Sequence, residues 1–307
     1  MSVYVELNSS HISFNTDKSW VILSPIEQSI KDKIERVGTP LKEWDINIYR
    51  GILTGYNEAF IISGEKKDEL IAADPKSAEI IRPILRGRDI KRYGYNSENL
   101  YLLFIPWHFP LHNDPSITGV SMEAEKLFAE QYPAIYNHLL GYKDALSARN
   151  KAETGIRYEW YALQRWGANY WDDFSKQKIM YPNMTKFLPF YLDNNGFMQN
   201  DKSFMITGKH LEYLCAFLNS KLFRFCYRDT FPELLGGTRE LRKIFFDKIS
   251  VKPINDSLNS EIASKVTQIQ NLVNINGDTT LIYSEIESII SDIYELTEEE
   301  IAVINNS

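Results

Sequence analysis

Ile84-Leu-Arg-Gly-Arg-Asp-Ile-Lys-Arg-Tyr93 and, upstream of it, Gly51-Ile-Leu-Thr-Gly-Tyr-Asn-Glu-Ala-Phe-Ile-Ile62 each set turn glycines and polar groups against an apolar, strand-like run. In the upstream stretch Gly51 and Gly55 bracket a tight turn. Asn57 tolerates the same backbone, and Ala59, Phe60, Ile61 and Ile62 read as a buried strand. In the downstream stretch Arg82, Arg86, Arg88, Lys91 and Arg92 place five cations against one acid, Asp89, within eleven residues. Gly87 stands in the middle and Tyr93 at the end. Such a segment suits phosphate contact combined with contact to base edges, although a basic cluster by itself is more often a solvated face.

Around these stretches the pattern alternates between short strands and helices. Residues 3–7 and 20–23 read as strands, and Ser24-Pro25 opens a helix whose apolar positions Ile26, Ile30, Ile34 and Val37 follow the helical period to Gly38. Further strands are expected at 100–105, 178–181 and 187–192, and helices at 121–139 and 211–227. Beyond them Ile262, Val266, Ile269 and Val273 mark one helix and Ile282, Ile286, Ile289, Ile290 and Ile293 a second. Thr297 with Glu300 forms a capping box that opens a last short helix. No period of twenty to fifty residues recurs, which excludes a solenoid. The expected fold is α/β of the mixed α+β kind: a curved mixed sheet with flanking helices, and a small C-terminal helical appendage whose apolar stripes need a partner surface.

A chain of 307 residues, 44% hydrophobic, can bury a sizeable core. No apolar run approaches the ~18 residues of a membrane span, and the N-terminus has neither the basic nor the apolar region of a signal peptide. A cytoplasmic location with no membrane partner is expected. Cys215 and Cys226 lie in an apolar segment, where free cysteine acts as a small core residue, and no disulfide is expected. The net charge of -7 argues at first against nucleic acid. The distribution reverses that: residues 253–307 hold one cation, Lys265, against ten acids, so the other residues carry +2. Ten cations and six acids fall in 200–252, and eight and five in 141–190. A DNA-facing body with a solvated or partner-facing tail fits this asymmetry.

The order of the two opening stretches, followed by Trp160-Tyr161-Ala-Leu-Gln164-Arg165, Lys178-Ile-Met-Tyr-Pro182, Phe217-Leu-Asn-Ser-Lys221 and Ile293-Tyr-Glu-Leu-Thr-Glu-Glu-Glu-Ile301, resembles the TaqI-like C-terminal specificity domain of type II (IIG-like) restriction-modification adenine methyltransferases. The resemblance spans roughly residues 45 to 255. It implies three parts: 1–44 as a connector to an upstream catalytic domain, 45–255 as the target-recognition domain and 256–307 as the acidic helical appendage. It also implies sequence-specific binding of double-stranded DNA for an N-terminal methyltransferase or nuclease domain or subunit. S-adenosylmethionine, and magnesium for a nuclease, would be cofactors of that parent enzyme and not of this chain. The chain is then either a cut portion or a separately encoded specificity subunit.

The residues themselves point the same way. A Gly-rich loop for a methyl donor and an Asn/Asp-Pro-Pro-aromatic element are absent from the sequence, so no methyl transfer by this chain is expected, and no catalytic residue is assigned. Asp89-Ile-Lys91 with Asp74 upstream is a formal match to a metal-dependent nuclease, the enzyme alternative; replacing Asp89 by Asn should leave or slightly strengthen DNA binding if the match is fortuitous. His108 and His112 are four apart, but Pro106 and Pro110 forbid the helix that would pair them, so no metal ligand is assigned. For DNA, Arg86, Arg88, Lys91, Arg92 and Tyr93 are candidates, together with Lys178. Arg157, Gln164 and Arg165 suit base edges, because Arg pairs with guanine and Gln with adenine, or else form the rim of an aromatic corner whose Trp160 belongs to the core. Gly237, Thr238, Arg239, Arg242 and Lys243 offer backbone N–H groups and cations to a phosphate. A third reading is a protein-interaction module acting through the C-terminal helices. Deleting 256–307 should spare DNA binding under the recognition reading and abolish partner binding under this one.

Overall fold

The computed structural model describes residues 23–306. The strand expected at 3–7, nearly all of that at 20–23, and His11 lie outside the described residues. In chain order the elements are α1 (Pro25–Val37), β1 (Thr39–Pro40), β2 (Ile46–Arg50), α2 (Asn57–Phe60), β3 (Ile61–Ser63), α3 (Gly64–Ala73), β4 (Ile81–Leu85), β5 (Ile90–Lys91), β6 (Gly94–Tyr95) and β7 (Leu100–Leu103). Helices α4 (Met122–Gln131), α5 (Pro133–Leu140) and α6 (Lys143–Ala148) precede β8 (Lys178–Pro182), β9 (Met184–Thr185), β10 (Tyr191–Asp193), β11 (Met198–Gln199) and β12 (Ser203–Gly208). The chain closes with α7 (Leu211–Leu218), α8 (Lys221–Tyr227), β13 (Arg239–Glu240), α9 (Lys243–Phe246), β14 (Ser250–Val251), α10 (Asp256–Asn274), α11 (Thr280–Ile293) and α12 (Glu298–Asn305).

Two four-stranded sheets organise the body. One runs β10-β8-β12-β2 and is antiparallel throughout, with Met205 opposite both Tyr49 and Met180. The other runs β11-β4-β7-β3 and is mixed, because β11 lies parallel to β4. The segments that pass between the sheets touch at Gly51, where a Cβ would stand 2.0 Å from the Asn200 carbonyl oxygen. Gly51 is therefore needed for close backbone approach, and the positive φ of the expected turn belongs to Gly55. Ala59 and Phe60 are buried as expected, but in the single helical turn α2, and the strand begins only at Ile61.

Side-chain chemistry explains where helices start and break. Ser24 and Glu27 close the capping box of α1, and Thr297 and Glu300 that of α12. The helix expected over 121–139 is two, because Pro133 removes an N–H and takes the first position of α5. That expected over 211–227 divides where Ser220 caps α8 and Asn219 turns to bond the backbone of Phe190.

The mixed α/β class holds, and the helical appendage is fused to the body. Ile262, Val266 and Ile269 of α10 and Ile286, Ile290 and Ile293 of α11 share one core with Ile30 and Ile34 of α1, Ile179 and Tyr181 of β8, and Tyr213 to Leu218 of α7. Each such buried side chain contributes about 1.5–3 kcal/mol, against a domain total of roughly 5–15 kcal/mol. Removing 256–307 should therefore strongly destabilise the body, and with it the DNA binding that the sequence expectation has surviving that deletion. A second core joins β3, β4 and β7 to α4, α5 and the aromatic segment around Trp160, Tyr161 and Leu163.

Candidate nucleic-acid interface

The 84–93 stretch leaves the second sheet at Leu85 and folds into a tight turn locked by its own acid. Asp89 is buried and accepts from the Arg86 backbone N–H at 2.8 Å, from Nε at 2.9 Å and from an Nη at 2.9 Å. Arg86 also reaches Glu98, and the hydrogen bonds to Asp89 hold its guanidinium even more firmly protonated than usual. Arg86 is thus the clamp of the turn, which places it at the edge of the interface with its charge already paired. Both Asp89 oxygens are engaged by Arg86, so the carboxylate is not free to hold a metal with Asp74, whose own side chain caps the turn at Lys76. Among the described residues no group of three or more His, Cys, Asp or Glu could hold a metal ion. The turn needs Gly87, since a Cβ there would lie 2.3 Å from the Lys202 carbonyl oxygen.

What the clamp holds outward is Arg88, 69% exposed, and the exposed Lys91, whose Nζ donates to the Arg88 carbonyl at 2.9 Å. Arg92 lies over the Tyr283 ring at 3.9 Å, donates to the Asn219 carbonyl and to the Tyr283 hydroxyl, and stands 3.6 Å from Glu287. Tyr93, expected on the DNA side, is instead buried in the main core at a positive φ of 57°. Its place there follows from the turn, which must reverse at that residue to pair β5 with β6.

Arg88, Lys91 and Arg92 line one wall of a cleft of about 550 Å³, and Lys186 and Arg224 line the other. Thr238, from the 236–243 loop, lines the same cleft as the 86–92 turn. No carboxylate lines this cleft among the described residues. A second cleft of about 450 Å³ shares Gly87 and Arg88 with it and adds Asn57, Asn200 and Lys202. Sequence reading missed Lys186, Arg224 and Lys202. Arg224 carries a visible signal, a single cation inside the apolar run of α8, while the other two are isolated lysines that only the tertiary fold brings to the cleft.

The remaining members of the loop are placed differently. Arg239 is buried, bonded to the Phe231 carbonyl and paired with Asp229 and Glu233. Arg242 and Lys243 are exposed but face Glu240 and Asp247 at 2.7 Å each, and Gly237 lies in a turn with φ 76°. Lys178 is fully buried in the first sheet, bonded to Asp193 at 2.5 Å and to the Phe174 carbonyl at 2.6 Å. Desolvation pulls its pKa down, and the pair bolts β8 to β10. Lys178 and Arg239 are therefore structural, and neither presents its charge to a ligand.

Beyond Gly51 lies a third cleft, of about 340 Å³, lined by Arg50, Arg165, Trp107, Trp166 and Tyr170. Arg157 and Arg165 both pair with Glu153, at 2.9 and 2.7 Å, and both lie over the Trp107 ring. Arg50 pairs with Asp201 at 3.4 Å. Gln164 is half-buried beside Gly55 and does not line the cleft. Underneath, Arg149 is buried without a carboxylate: it donates to the carbonyls of Leu146, Thr54, Trp160 and Ala162, and burial lowers its pKa to about 10. It ties the Thr54 turn to the Trp160 segment. Trp160 is core, as read from the sequence.

A family model described as the TaqI-like C-terminal specificity domain matches residues 82–251, more than half of the chain. The type II methyltransferase M.MjaIV of Methanocaldococcus jannaschii is 21% identical over 229 residues, which cover 71% of this chain and 67% of the methyltransferase. Among solved structures, the type IIL restriction-modification enzyme MmeI, determined in complex with DNA, aligns over 87% of this chain at 11% identity with a TM-score of 0.52. The type IIG restriction endonuclease BpuSI aligns over 88% at 12% identity with a TM-score of 0.48. The chain spans about a third of the length of these two enzymes, 35% and 33% respectively. No helix among the described residues is long and apolar enough to cross a membrane.

Proposed function

Since this chain belongs to the family of TaqI-like C-terminal specificity domains, we propose that it binds a particular duplex DNA sequence and lends that recognition to a methyltransferase or restriction domain. The observation that carries the reading is the 550 Å³ cleft, lined by five cations and, among the described residues, by no carboxylate, in a chain of net charge -7. Arg88, Lys91, Arg92, Lys186 and Arg224 grip phosphates there, with Thr238 and its neighbouring backbone at the end. Arg165, oriented by Glu153, and Arg157 beside it read base edges, and Arg fixed by a carboxylate is suited to bidentate contact with guanine. Gln164 supports the adjoining turn. The chain acts without catalytic groups of its own, S-adenosylmethionine and any magnesium belong to the partner domain, and the site of action is the cytoplasm.

The test is selection from a random duplex library by the purified chain, at low and then physiological salt, with sequencing of the bound fraction. An enriched motif that persists at physiological salt is the expected result. Binding that shows no motif and disappears with salt would reduce the role to phosphate contact. No binding at low salt would overturn the reading in favour of a protein-interaction role.

A further inference from the structure

Residues 232–238 form a braced turn with an apolar tip. Leu234 N–H donates to the Thr238 carbonyl at 2.6 Å and Glu240 N–H to that of Pro232 at 3.1 Å, while Gly236 and Gly237 both take positive φ. From beneath, buried Arg239 grips the Phe231 carbonyl, Glu233 and Asp229. The tip presents Leu235, 100% exposed, with Leu234 partly exposed beside it. The strand that leaves the turn, β13, pairs with β9, and two residues past β9 stands Phe187, 73% exposed.

A single exposed leucine is ordinary on a protein surface. Here a turn with five polar anchors holds it at full exposure, and the foot of the turn, Thr238, lies in the cationic cleft with Lys186 and Arg224. Lys186 Nζ would lie 3.9 Å from a Cβ on Gly236. Arg239 pairs with both Asp229 and Glu233 near the turn and offsets one of their two charges. An apolar point raised from a bed of cations is complementary to duplex DNA, whose phosphates flank an apolar stack of bases.

We propose that Leu235 is a wedge that enters a base step of the bound duplex and unstacks it, with Phe187 covering the opened edge. The proposal rests on the DNA-recognition reading and adds to it a residue that deforms the DNA without hydrogen-bonding any base. The wedge lets the chain favour sequences with an easily unstacked step at that position.

The experiment uses the full chain and the duplex selected above, with 2-aminopurine substituted in turn for each adenine and pyrrolocytosine for each cytosine on both strands. Saturating protein should raise fluorescence several-fold at one step only. Leu235→Ala should abolish the rise while anisotropy shows affinity reduced less than about tenfold with an unchanged salt slope, and Leu235→Phe should retain the rise. A bound duplex that brightens nowhere, or a rise that survives Leu235→Ala, overturns the wedge and leaves the DNA-recognition reading intact. Failure of the unaltered chain to bind duplex overturns both.

Discussion

The cleft between Arg88 and Arg224 and the cleft around Trp107 both collect arginines, yet they treat charge in opposite ways. In the first, Asp89 is buried beneath Arg86, and no carboxylate lines the cleft among the described residues, although Arg88 lies 3.8 Å from Glu98 and Arg92 3.6 Å from Glu287 at its margins. In the second, Arg165 shares Glu153 with Arg157, and Arg50 meets Asp201. A cleft lined by cations with their acids only at its margins attracts any polyanion and tolerates its register, whereas cations pinned at short range to acids and to an indole face keep one orientation. Under the proposed function the difference predicts a division of labour, with affinity from one cleft and selectivity from the other.

The strongest way to break that comparison is to remove its pivot. Asp89→Ala removes the buried partner of Arg86 and leaves it to the exposed Glu98, and stability should fall by about 3 kcal/mol, the low end of the range for a buried pair that loses one partner, as read by urea unfolding; DNA binding should weaken with it. The Asp89→Asn substitution, expected from sequence to leave or slightly strengthen DNA binding, tests the same clamp with a side chain that can still accept from Arg86. The joint substitution Arg88→Glu and Lys91→Glu should keep the fold and lower affinity for all duplexes roughly 100-fold, with the salt slope smaller by about two units, in anisotropy titrations; an unchanged slope would show that the open cleft does not hold phosphate. Arg165→Ala should act the other way, relaxing discrimination at one position of the selected motif by about 1–3 kcal/mol with little change in slope, as measured by competition between single-base variants. A uniform loss across sequences would erase the distinction between the clefts. Lys186→Ala is the mildest probe, and should reduce the slope by about one unit without changing the preferred sequence.

Local signals in the chain foretell much of the fold. The capping residues of α1 and α12 and the isoleucine period of α10 and α11 are written in neighbouring positions, and the structure follows them. Ala59-Phe60 misleads because a four-residue helix is too short to display its period. The site is less legible for a similar reason. Arg86 and Arg88 are alike as sequence, and only the direction of the turn gives the buried Asp89 to one and leaves the other exposed, 3.8 Å from Glu98. Nothing near Lys178 or Tyr93 announces burial, because Asp193 and the Phe190 backbone arrive from distant strands. Lys186 and Lys202 are invisible in the same sense, each being an isolated cation until sheets and loops assemble the cleft.

Arg92 ends the basic turn by stacking on Tyr283 and bonding the Asn219 carbonyl, so a residue of the recognition segment rests on the penultimate helix of the described chain. Residues 82–251 are the portion that the family model matches; they hold Asn219 but not Tyr283. Moved into another scaffold as 82–251 alone, the turn would keep its Asp89 clamp but lose the Tyr283 rest under Arg92, and about a third of the buried residues of the larger core would be missing. A portion that keeps both that rest and the shared core must also carry α1 and the three C-terminal helices, which makes the acidic end of the chain a fixed mount for the basic turn and not a passive tail.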